Sequence, residues 1–153
     1  MNSSGIVVSG LAEAGEKKLL KKRGLNVFSL EALSPGNNVV ANDKGALASN
    51  RVQKKDLKKI SDCLGVEVFQ QRFATPTVIS STVATNKGLL VHNDFTETET
   101  KFLEKILGAR GLQATVNHGV LFNSLGVVAN SKGAVVGEAT SGFEVQRIYE
   151  ALG

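Results

Sequence analysis

One cysteine and two histidines are the residues of this chain best suited to chemistry. Cys63 with His118 and a carboxylate would make a nucleophilic site, in which a base draws the proton from the thiol. Its neighbours speak against that role. Val52, Leu57, Ile60, Cys63 and Leu64 fall on one side of a helix at roughly 3.6-residue spacing. Cys63 therefore belongs to a buried stripe, where an apolar environment raises a thiol pKa rather than lowering it. His92 follows Leu89-Leu90-Val91, and His118 stands in Asn117-His118-Gly119. Neither has a second His or Cys at metal-ligand spacing, and structural zinc takes four ligands. No catalytic residue, metal or cofactor is expected. Neither GxxxxGK[ST] nor GxGxxG after a strand occurs, so no phosphate-binding loop of those kinds is expected either.

The elements that would position these residues follow from a phrase that occurs three times. It reads Asn42-Asp43-Lys44-Gly45-Ala46-Leu47, then Thr85-Asn86-Lys87-Gly88-Leu89-Leu90, then Asn130-Ser131-Lys132-Gly133-Ala134-Val135. Self-similarity at this period means repeated supersecondary units, each completed by its neighbours. An array or ring is expected, in one repeat domain over 1–153 with units at 1–33, 34–77, 78–121 and 122–153. The Lys-Gly pairs could cradle a phosphate, but three copies point to a structural turn with its lysines left on the rim.

Each complete unit reads β-β-α-β. Residues 37–42 form a short strand, 43–45 a turn with glycine accepting positive φ, and 46–48 a return strand. A helix through Leu64 ends at Gly65, and 66–70 alternates as a half-buried strand. The next unit has strands at 81–85 and 89–91, a capping box Thr96 to Glu99, a stripe of Phe102, Leu103, Ile106 and Leu107, a cap at Gly108 and a closing strand 112–117. The last has strands at 125–129 and 134–136, a second capping box Ser141 to Glu144, and a stripe of Val145, Ile148, Tyr149 and Leu152. The first keeps a strand 5–9, a helix 12–23 and a strand 25–30, and lacks the turn and second strand.

With 42% hydrophobic residues a core can form, which excludes global disorder. Seven Phe, one Tyr and no Trp make a stacking surface for single-stranded nucleic acid improbable. A lone Cys makes no internal disulfide and suits a reducing cytoplasm. No stretch reaches the roughly 20 apolar residues a membrane span needs, and no signal peptide is expected. Residues 1–60 carry 11 Lys+Arg against 5 Asp+Glu, and 61–153 carry 7 against 9. The basic part suits a phosphate-rich partner such as ribosomal RNA, or is the solvated outer face of two helices.

The segment Pro35 to Leu47 resembles the archaeal form of the translation initiation factor 6 family. So do Leu64 to Val68, Thr85 to His92, Thr115 to Val120 and Val128 to Gly137, in the family's order. The resemblance covers about 34–153 and implies an α+β fold, a pentein-like propeller of ββαβ units, incomplete beside the family's five-unit ring. It implies a non-enzymatic, cytoplasmic factor on the intersubunit face of the large ribosomal subunit, touching a ribosomal protein and RNA near the sarcin–ricin loop. There it keeps the small subunit off. In eukaryotes the family also accompanies late large-subunit biogenesis and is removed by a GTPase with a cofactor protein. The ribosome-facing rim includes the Asn of a Leu-x-x-Gly-Asn pattern, here Asn37. Counting along the repeat gives Ser80 and Leu125, with Asn123 beside the last.

The likeness leaves about three and a half units. A smaller ring, a truncated chain, or an open sheet edge that lets copies associate would follow. Two other functions stand beside the ribosomal one. Some rings of ββαβ units are guanidino-modifying enzymes with Cys-His-carboxylate sites. A degenerate, oligomerising scaffold is the other.

Overall fold

The computed structural model describes residues 1–31, 33–74 and 77–153. The fold is α+β, with small sheets and short connecting helices. The chain divides into two compact halves, Met1–Arg72 and Phe73–Gly153.

The first half opens with β1 (Gly5–Ser9), α1 (Ala14–Lys22) and β2 (Asn26–Leu30). β1 and β2 pair in parallel, Gly5 beside Asn26 and Ser9 beside Leu30. There follow α2 (Pro35–Asn38), β3 (Val39–Ala41), β4 (Ala46–Ala48), α3 (Lys54–Leu64) and β5 (Val68–Gln70). β4 lies central, antiparallel to β3 and parallel to β5. Helix α3 buries Ile60, Cys63 and Leu64 and turns Lys54, Lys55, Lys58 and Lys59 to solvent. Burying each of its aliphatic side chains contributes about 2 kcal/mol. Gly65 then takes φ 66° and stops the helix, a conformation that costs glycine little. Ile60 and Leu64 pack with Val7, Phe28 and Leu30. The helix therefore covers the β1–β2 sheet, which precedes its own hairpin in the chain.

The second half repeats this order with β6 (Val83–Ala84), β7 (Gly88–Val91), α4 (Glu97–Leu107) and β8 (Arg110–Gln113). Again the middle strand pairs antiparallel with the first and parallel with the third. Next come α5 (Asn123–Gly126), β9 (Val127–Asn130), β10 (Gly133–Val136) and α6 (Gly142–Leu152). β9 and β10 form a two-stranded antiparallel sheet. Helix α6 places Ile148, Ala151 and Leu152 against Val83, Leu90 and Ala114, again on the sheet before its own. Both anticipated capping boxes form. Thr96 Oγ1 accepts the Glu99 N–H at 3.2 Å and Ser141 Oγ the Glu144 N–H at 3.3 Å, and each glutamate reaches back to the cap N–H at 3.0 and 2.8 Å.

Several local expectations need correcting. Residues 37–38 and 125–126 are not strand starts but belong to the one-turn helices α2 and α5. Pro35 presets φ at the start of α2, and Asn38 holds its turn by donating to the Ser34 carbonyl at 2.9 Å. The second hairpin begins at Val83, after a turn in which Ser81 N–H bonds the Thr77 carbonyl at 2.9 Å. The closing strand expected at 112–117 is β8, Arg110–Gln113; Val116 makes only an isolated bridge to Val120, across a turn in which Asn117 and His118 take φ 47° and 58°. On α6, Val145 and Tyr149 are exposed, and Ala151 takes a buried place instead. Finally, Gly88 and Gly133 do not need positive φ. The cap side chains make those turns: Thr85 Oγ1 accepts the Lys87 and Gly88 N–H groups at 3.1 Å, and Asn130 Oδ1 those of Lys132 and Gly133 at 2.8 and 3.2 Å.

Candidate functional site

Chemistry at the sulfur and imidazole groups is weak in this structure. Cys63 is buried, with Sγ 3.4 Å from the carbonyl oxygens of Ile6 and Asn26. Burial pushes its thiol above the ordinary value and outweighs the backbone hydrogen bonds. His92 is buried at the end of β7, its Nδ1 accepting the Asp94 N–H at 3.2 Å. Among the described residues no group of His, Cys, Asp and Glu is arranged to hold a metal.

The residues singled out by the repeat lie just before the first strand of each hairpin. Asn37 is exposed on α2. Its neighbour Asn38 is buried and accepts the Ser49 hydroxyl at 2.6 Å, tying α2 to the segment after β4. Ser80 is largely buried, and its carbonyl accepts both the backbone N–H and the hydroxyl of Ser124, at 3.2 and 2.5 Å. Asn123 is fully buried and donates to the carbonyls of Ser81 and Ala114 at 3.2 and 3.1 Å. Leu125, on α5, is exposed. The four thus divide by environment. Ser80 and Asn123 fasten the turn of one hairpin to the helix of the next, whereas Asn37 and Leu125 present side chains outward.

A feature missed by sequence reading adjoins Leu125. Asn117, His118 and Gly119 all take positive φ, at 47°, 58° and 89°. Only Gly adopts this backbone without cost, so two such non-glycine residues in succession must be held by their surroundings. Glu144 supplies the hold. Its carboxylate accepts the His118 and Gly119 N–H groups at 3.2 and 3.0 Å and the Thr115 hydroxyl at 2.7 Å, besides its capping bonds to Ser141. Burial opposes the ionised form of Glu144. The donors from Ser141, Thr115 and Gly119 outweigh it and hold its pKa down to about 2. The result is an exposed stretch, His118 to Val120, leading by way of Phe122 into exposed Leu125.

Comparison with known proteins bears on this arrangement. The family model described as the eIF-6 family matches residues 1–151. The chain belongs to the eIF-6 family. Translation initiation factor 6 of Staphylothermus marinus is 34% identical over 158 residues, spanning 99% of this chain and 70% of the relative. That of Picrophilus torridus is 37% identical over 157 residues, 99% and 71%. That of Thermococcus onnurineus is 40% identical over 119 residues, 77% and 52%. Family likeness therefore extends through the first 33 residues, which by sequence alone matched only loosely. The eIF-6 family is named for translation factors, and a reactive thiol is not a feature that Cys63 offers here.

Proposed function

We propose that this chain binds the large ribosomal subunit on its intersubunit face and so keeps the small subunit from joining. The observation that carries this reading is the eIF-6 family match over residues 1–151. Two features support it. Exposed lysines on α1 and α3, Lys18, Lys21, Lys22, Lys54, Lys55, Lys58 and Lys59, offer a cationic surface to ribosomal RNA. Exposed Asn37 and Leu125 lie on the one-turn helices before the first and third hairpins and would form part of the contact rim, with buried Ser80 and Asn123 holding that rim in shape. The blocking is steric and calls for no catalytic group. On this reading the sheets and helices belong to a pentein-like propeller, incomplete beside a five-unit ring, acting in the cytoplasm and in large-subunit biogenesis.

Sucrose-gradient sedimentation tests the proposal. The purified chain should co-sediment with large subunits and shift joined ribosomes toward free subunits. Absence of both effects would overturn it. Replacing Asn37 and Leu125 together by Asp should weaken co-sedimentation while leaving the thermal transition in place.

A further inference from the structure

Two polar atoms in the interior of the second half lack a partner of their own. Among the described residues, the Ser81 hydroxyl and the side-chain carbonyl of Asn123 are the buried side-chain atoms that make no hydrogen bond. Both residues are 0% exposed. A buried polar group left unpaired is costly, and folded proteins leave few of them.

The two orphans stand together. Asn123 Nδ2 donates to the Ser81 carbonyl at 3.2 Å and to the Ala114 carbonyl at 3.1 Å. Those bonds fix the amide, because turned over it would set Oδ1 against two carbonyl oxygens. Oδ1 therefore needs a donor. The Ser81 hydroxyl needs an acceptor, and its own turn does not supply one. Ser80 Oγ donates to the Thr77 carbonyl at 3.2 Å and Thr82 Oγ1 to that of Val78 at 2.6 Å, whereas Ser81 between them finds no such carbonyl.

The first hairpin satisfies the same place with a longer side chain. Asn38 stands four residues before Asn42, as Ser81 stands four before Thr85. Asn38 uses both ends of its amide, accepting the Ser49 hydroxyl at 2.6 Å and donating to the Ser34 carbonyl at 2.9 Å. A serine hydroxyl ends where the asparagine side chain branches, and so falls short of that reach. We propose that a buried water molecule bridges Ser81 Oγ and Asn123 Oδ1, accepting from the hydroxyl and donating to the amide oxygen. Water suits a hydroxyl facing an acceptor, and buried waters take about two to four such partners. A cation does not suit the pair. Both atoms are neutral, and among the described residues no group of His, Cys, Asp and Glu is arranged to hold a metal. The bridge joins the turn before β6 to α5, beside the direct bonds from Ser124 to the Ser80 carbonyl. The inference is independent of ribosome binding.

A crystal structure of the full chain, at a resolution that orders internal water, should show a water oxygen within about 3.2 Å of both atoms. A direct Ser81–Asn123 hydrogen bond, a dry gap between the two, or a bound metal ion with contacts of about 2.0–2.6 Å overturns the proposal. In solution, magnetic relaxation dispersion of the water oxygen counts long-lived waters and is blind to exchanging hydroxyl protons. Ser81→Asn, which sets an amide where the water stands, should lose the signal of a single long-lived water and keep a cooperative thermal transition. An unchanged dispersion amplitude in the folded variant sinks the idea. If Ser81→Asn does not fold, the crystal structure of the unaltered chain decides alone.

Discussion

One side chain and one missing side chain carry much of the local order in the second half. Glu144 accepts hydrogen bonds from Ser141, Thr115, His118 and Gly119, so a single carboxylate fixes both a helix start and a left-handed loop. Its folded pKa of about 2 lies below the ordinary 4.5. The stability it contributes is therefore present above about pH 4.5 and is lost as the pH falls toward 2. Urea titrations between pH 7 and pH 2 should show that loss, and Glu144→Gln should remove the pH-dependent part while costing about 2 kcal/mol at pH 7. At Gly88 the absence of a side chain matters. Gly88→Ala forces a methyl against the Ala151 carbonyl and should destabilise by about 3 kcal/mol. Gly133→Ala meets open space and should be neutral or slightly stabilising. Equal effects of the two substitutions in denaturant unfolding would contradict this account.

Helix boundaries were legible in the sequence because their chemistry is local. Thr96 with Glu99 and Ser141 with Glu144 are cap pairs at fixed spacing, and Gly65 and Gly108 end their helices at φ 66° and 58°. Thr96→Ala should lower stability by about 1 kcal/mol, read as a shift in the urea midpoint with unchanged slope. The one-turn helices α2 and α5 were not legible. Four residues show no helical period, and the apolar residues after them carried the strand pattern backward. The apolar stripe of α6 was half legible for a different reason. Val145 and Tyr149 have the right spacing, but the side they occupy faces the groove beside β10, where among the described residues no third strand pairs as β8 pairs with β7. Of the proposed rim, the family pattern points to Asn37, and counting along the repeat points to Ser80 and Leu125. Burial of Ser80 and Asn123, and the left-handed run at Asn117, depend on contacts that spacing does not reveal.

Charge is divided between the two halves of the chain. Met1–Arg72 holds 12 Lys+Arg against 7 Asp+Glu, and Phe73–Gly153 holds 6 against 7. A net +5 beside a net −1 places the cationic surface on one half, so any phosphate contact should follow that half. Replacing Lys54, Lys55, Lys58 and Lys59 by Gln should weaken large-subunit binding. It should also reduce the dependence of log K on log salt by up to about 4, less if some of these lysines touch no phosphate. An unchanged salt slope would restrict the four lysines to keeping the face of α3 hydrated.

Each long helix that covers a sheet in this fold serves strands synthesised well before it. The last residues to cover Val83 and Leu90 in chain order are Ile148, Ala151 and Leu152. During translation the β6–β7 hairpin must therefore wait for about 60 more residues, roughly 3–12 s at ordinary elongation rates, before its apolar pair is shielded. Over that interval the nascent hairpin is an aggregation hazard and a natural client for a chaperone. Premature termination within α6 would harm strands made long before the stop codon more than the hairpin nearest to it.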